Sequence, residues 1–126
     1  MPRRDGARPL DDRVRLMHML IAAQEAQSFA QGSTFDDLTG NRLLIRGIAH
    51  CLIELGEAAS KVSDQTRALA PDVPWRQIVG MRHRIVHVYY DLDPIAVWTV
   101  VTDDLTPLIT ALSRVTSELG PPPSGG

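Results

Sequence analysis

The chain lacks most of what would support a disulfide-stapled, sheet-rich or membrane-spanning protein. Its single cysteine, Cys51, allows no internal disulfide, and only 5% of its residues are aromatic. Abundant Leu, Ala, Val and Ile in their place favour helices over a sheet sandwich. No stretch holds the roughly 18 consecutive apolar residues expected of a membrane span. The arginine-rich start, Pro2 to Arg8, runs into Asp11, Asp12 and Arg13 instead of an apolar signal core. The expectation is a cytoplasmic protein with no membrane partner. A broad basic excess is missing too: twelve arginines and one lysine, Lys61, leave a net charge of -2. Indiscriminate polyanion binders carry such an excess, so any nucleic-acid contact must be local.

What is present is enough for one domain: 126 residues, 44% of them hydrophobic, with no internal duplication. Met1 to Pro9 has no periodic apolar pattern and reads as a flexible tail. A first helix is expected from Leu10 to Asp12 onward, its paired aspartates capping the orphan N–H groups. Its apolar face would be Leu10, Val14, Met17 and Ile21, and it should stop before Gly32. Ser33 to Gly40 is a connector holding a short turn at Phe35 to Leu38.

A second long helix, Asn41 to Val62, carries the stripe Leu44, Ile48, Cys51, Leu55, Ala58, Val62 opposite the polar stripe Arg46, His50, Glu54, Glu57, Lys61. Cys51 is thereby read as a small buried hydrophobe without chemistry. Gly56 inside this helix implies close approach of another helix. A short helix from Ser63 or Asp64 to Ala70, a turn at Pro71 and Pro74, and a third main helix from Pro74 or Trp75 to His87–Tyr89 follow. Asp93 as N-cap and Pro94 at the first position start the fourth, with the stripe Trp98, Val101, Leu105, Leu108, Leu112, Val115, Leu119. Pro107 should bend it, Gly120 should end it, and 120–126 is a flexible tail. The sum is an all-α, up-and-down bundle of four main helices over residues 10–119. Two such long stripes can bury a core and still leave apolar surface for a second copy, so a homodimer is expected.

One segment stands apart. From Val73 to Tyr90 there is no Asp or Glu, while Arg76, Arg82, His83, Arg84 and His87 all fall inside it, which is where an anion would go. Arg82 and His87 are five residues apart, and on an ideal helix they point about 140° away from each other. Either the helix ends between them, or each meets the other's copy across a dimer.

The segment reads R-x4-H-x-Y (Arg82, His87, Tyr89), preceded by P-W-R-Q-I-V-G-M-R (Pro74 to Arg82) and followed by Asp91, Asp93 and Val97-Trp98. With L-G-E-A-A at Leu55 to Ala59, these matches resemble the HEPN superfamily, and within it the HepT-type toxin of HepT/MntA pairs, over residues 10–119. The resemblance implies a HEPN-like fold. It also implies a type VII toxin: a metal-independent endoribonuclease that cleaves RNA with Arg82 and His87 in a dimeric site and needs no cofactor. An MntA-like nucleotidyltransferase antitoxin would be its partner, adding AMP to Tyr89. The sequence departs from the pattern at His83, where relatives commonly have Asn, which adds a second imidazole beside Arg82.

Metal-free RNA cleavage needs a base for the ribose 2'-hydroxyl, an acid for the leaving oxygen and donors for the phosphorane. His87 suits base or acid, and the planar fork of Arg82 suits a phosphate clamp. One chain supplies one motif histidine and a dimer two, although His83 and His87, four apart, would share the face of a continuous helix. Glu57 either orients Arg82 or His87, or pairs with Lys61 one turn on. A bland alternative has Arg82 and His87 merely neutralising a helix end and a turn with Asp91 and Asp93. Two other readings are a catalytically silent HEPN partner that binds a nucleotidyltransferase and its nucleotide, and a plain helical interaction module. His83, His87 and an aspartate could offer metal ligands, but H-x3-H without a Glu after the first His lacks the metalloprotease pattern, and no metal is assigned. His18 and His50 read as isolated residues.

Overall fold

The computed structural model describes residues 9–121; residues 1–8 and 122–126, most of both expected tails, lie outside it. The long helices are α1 (Pro9–Ala30) and α3 (Arg42–Ser60), joined by α2 (Phe35–Gly40). After α3 come α4 (Asp64–Arg67), α5 (Trp75–Val79), α6 (Met81–Ile85), α7 (Pro94–Thr99) and α8 (Leu105–Leu119). Helix α1 packs along α3 and α8, while α5 and α6 lean on α3. The architecture is the expected all-α bundle. Its third member is two short helices rather than one, because the chain breaks at Gly80.

Local signals set most boundaries. Thr34 and Asp37 form a capping box at α2, and Asn41 Oδ1 accepts the Leu44 N–H at the start of α3. Gly32 and Gly120, both at positive φ, follow the ends of α1 and α8.

The buried face of α1 is not the expected one. Leu16, Met19, Ala22, Ala23, Ala26 and Ala30 are inside, whereas Ile21 is 46% exposed and Val14 and Met17 are half-buried. Alanines let two neighbouring helices approach α1 closely, so small side chains mark its core face and larger ones its flank. Asp12 also departs from expectation. Its carboxylate is fully buried and reaches away from α1, accepting hydrogen bonds from the Ser63 N–H, the Ser63 hydroxyl and the Thr66 hydroxyl at the start of α4.

Gly56 is where α5 and α6 meet α3. A Cβ there would lie 2.7 Å from the Ile78 carbonyl oxygen and 3.2 Å from Met81 Cβ. Gly56→Ala is therefore expected to lower stability by about 1–3 kcal/mol, against the roughly 1 kcal/mol that Ala gains as a helix former. The urea midpoint should fall with the slope m unchanged; a raised midpoint would show that the two helices part freely.

From Pro94 to Leu119 the chain is one helical rod. Pro107 has no N–H for the Asp103 carbonyl, and the rod meets this one turn earlier with a wide π-helical turn, Val100–Asp104, in which the Leu105 N–H bonds to Val100 O. The extra residue shifts the buried stripe, which steps from Val97 and Val100 to Leu105, Leu108, Leu112 and Val115. Trp98 and Val101, expected on that stripe, are consequently only half-buried. The rod has the length and hydropathy of a membrane span, but this stripe is the one packed in the bundle core.

Candidate functional site

Helix α6 stops at Ile85, between Arg82 and His87. The Ile85 carbonyl accepts the Asp93 N–H at 2.8 Å instead of a helical donor, and Val86, extended, pairs with Leu92 in an antiparallel bridge. The His87 N–H reaches Asp91 O at 2.6 Å and closes a small loop. Its tip is a 3-10 turn, Val88–Tyr90, in which Tyr89 takes φ 58° and ψ 35°. The left-handed region costs a non-glycine residue roughly 1–2 kcal/mol, and among the described residues Tyr89 is the sole non-glycine there. The side chain that results is 94% exposed.

His87 is held from one side. Its Nε2 lies 3.2 Å from Asp93 Oδ2, while Asp93 Oδ1 accepts the Ile95 and Ala96 N–H groups as the α7 cap. One carboxylate thus starts a helix and orients an imidazole. With Nε2 turned toward Asp93, Nδ1 is the ring nitrogen left for a proton-transfer role. The His87 side chain is 54% exposed, open to a ligand from solvent.

Arg82 and His83 are exposed on α6. Because α6 ends before His87, the four-residue spacing does not put His83 and His87 on one helical face. Arg84 points the other way, its guanidinium donating to Asp104 Oδ2 at 2.9 Å and tying α6 to the rod. Behind α6, the Arg67 guanidinium lies over the Trp75 ring at 5.5 Å and Trp75 Nε1 donates to Ala70 O, steadying the entry to α5.

Glu57 stands elsewhere, in a groove of about 510 Å³ between α1 and α3. His18 and His50, read as isolated, line the same groove, and His50 Nε2 is 3.5 Å from Glu54 Oε2. At one end, ligand atoms of Glu25, Cys51 and Glu54 come within 4.8 Å of one another. Burial first, then the two carboxylates, push the Cys51 thiol up to about 11, so it stays protonated and inert near neutrality. Cys51 is buried as expected. The residue that the motif alone did not single out for the site is Asp93, whose signal was its N-cap position five residues before Trp98.

Residues 19–115 match the family described as ribonuclease HepT-like. The probable ribonuclease HepT of Thermococcus cleftensis is 25% identical over 87 residues, which are 69% of this chain and 79% of that protein. A Methanocaldococcus jannaschii protein provisionally named an RNase is 26% identical over 95 residues, 75% of this chain and 87% of its own. Another, from Caldanaerobacter subterraneus, is 26% identical over 93 residues, covering 74% and 83%. No solved structure matches the chain. The chain belongs to the HepT-like ribonuclease family.

Proposed function

We propose that the chain is the toxin of a type VII toxin–antitoxin pair, a metal-independent endoribonuclease that works as a homodimer in the cytoplasm. The observation that carries this is the Asp93-oriented imidazole of His87, just past the helix end that bears Arg82. His87 Nδ1 takes the proton of a ribose 2'-hydroxyl. The freed oxygen attacks the adjacent phosphorus, and the P–O5' bond breaks to leave a cyclic phosphate. Arg82 spans two phosphate oxygens as charge builds on them. The motif histidine of the second copy, protonated, gives its proton to the departing O5'. His83 adds a second imidazole beside the clamp. Glu57, in the α1–α3 groove, takes no part in this step.

Tyr89 is the proposed off-switch. Its phenol, carried out on a left-handed backbone and almost fully exposed, is open to a nucleotidyltransferase, and an AMP phosphodiester two residues from His87 would repel RNA phosphate from the same place. After co-expression with an MntA-like nucleotidyltransferase, mass spectrometry should find AMP on Tyr89, and the product should no longer cleave RNA. Tyr89→Phe should block both effects. AMP confined to other residues would remove the switch, and intact RNA after incubation with unmodified dimer in EDTA would remove the ribonuclease reading.

A further inference from the structure

A pair of arginines outside the motif stands where the local physics gives no reason for it. Arg42 is the first residue inside α3, and no acidic residue occupies that first turn. A cation there opposes the positive end of the helix dipole. Arg46 follows four residues later on the same face. Both are exposed, and among the described residues neither is held by an ion pair or a side-chain hydrogen bond. Arginines that only solvate a surface gain nothing from this end of a helix, whereas arginines that meet an anion do.

Their position says which anion. Arg42 and Arg46 line a cavity of about 220 Å³ whose opposite wall is Asp91, Leu92 and Pro94. That wall is the return strand of the His87 loop: Leu92 bridges Val86, and Asp91 O receives the His87 N–H. The cavity therefore abuts the candidate active site through one layer of backbone. The Asp91 carboxylate shares it but makes no ion pair with either guanidinium among the described residues, so the two cations keep their capacity for an outside partner. Two guanidiniums one helical turn apart, facing the return strand of the His87 loop, give two phosphate-sized docking points on a chain that is acidic overall.

We propose that Arg42 and Arg46 form a phosphate-binding track for the RNA strand flanking the scissile bond. The track rests on the ribonuclease reading above and names what grips the substrate beyond Arg82. Because it supplies affinity through charge, it reads the backbone and not the bases.

The test uses the full chain with His87→Ala as a non-cleaving background and a fluorescent single-stranded RNA titrated at several salt concentrations. Arg42→Gln with Arg46→Gln should weaken binding about tenfold or more at low salt. It should also flatten the plot of log affinity against log salt by about 1.4, two phosphates at about 0.7 each. Its melting temperature should hold or rise, since a cation has left the wrong end of a helix. Arg42→Lys with Arg46→Lys should keep most of the salt slope. Unchanged affinity and slope, in a chain whose His87-containing form cleaves the same RNA, would overturn the track alone. A wild-type chain that neither binds nor cleaves RNA would overturn the ribonuclease reading and the track with it. Affinity lost together with melting temperature would assign the pair a structural role and overturn the track.

Discussion

Replacing His87 by alanine is expected to slow RNA cleavage by about 10²–10⁴-fold, the range that a positioned acid or base supplies, with or without EDTA. Stability should hold to within about 0.5 kcal/mol, because the His87–Asp93 pair is half-exposed and such pairs hold little fold together. That separation gives the experiment its force: a structural turn that neutralises a helix end would lose stability and catalysis together or neither. Asp93→Asn refines the test. It keeps an oxygen to cap Ile95 and Ala96 but removes the negative charge facing Nε2, so α7 should stay folded while cleavage falls. Circular dichroism and single-turnover cleavage of one RNA read both effects. Wild-type rates in His87→Ala would take the chemistry away from this loop altogether.

The features legible from sequence are those decided within a few residues. Asn41 at the start of α3, Asp93-Pro94 opening α7 and Gly120 after α8 act through local geometry that holds in any context, and each stands where expected. Gly56 was legible because a helix tolerates glycine in its interior for few reasons other than close approach, and the Ile78 carbonyl is what approaches. For Arg82 and His87, the expectation that the helix ends between them holds, since α6 stops at Ile85.

What could not be read depends on partners far along the chain. The core face of α1 is set by how closely α3 and α8 approach it, which favours Ala22, Ala23 and Ala26 over the bulkier Val14, Met17 and Ile21. The buried stripe of the rod slips because a π turn adds one residue to a repeat that assumed 3.6 per turn. His18 and His50, on different helices, share a groove only because α1 and α3 lie side by side. Arg42 and Arg46 carried a local signal, cations at the start of a helix, but the cavity that explains them is made by the loop some fifty residues on.

Asp12→Ala is expected to have the largest effect on folding. The Asp12 carboxylate has no solvent exposure. Its Oδ1 accepts the Ser63 N–H at 3.1 Å, and its Oδ2 accepts the Ser63 hydroxyl at 2.6 Å and the Thr66 hydroxyl. Alanine would strand three donors, and each buried donor left without its acceptor costs about 1–3 kcal/mol, less where water can enter. A loss of about 3–5 kcal/mol follows, a large share of the 5–15 kcal/mol that holds a typical domain together. The damage should start at α4, whose cap, the Ser63 oxygen on the Thr66 N–H, is fixed by this same carboxylate. From there it should pass through Arg67 and Trp75 to α5 and on to α6, which carries Arg82. Asp12→Asn keeps the shape and one acceptor oxygen but turns an N–H₂ toward at least one donor, so it should lose roughly half as much. Urea unfolding followed by tryptophan fluorescence measures both. If Asp12→Ala unfolds at the same urea concentration as the parent chain, α4 is anchored by something other than α1, and the entry to the Arg82 helix rests on α3 alone.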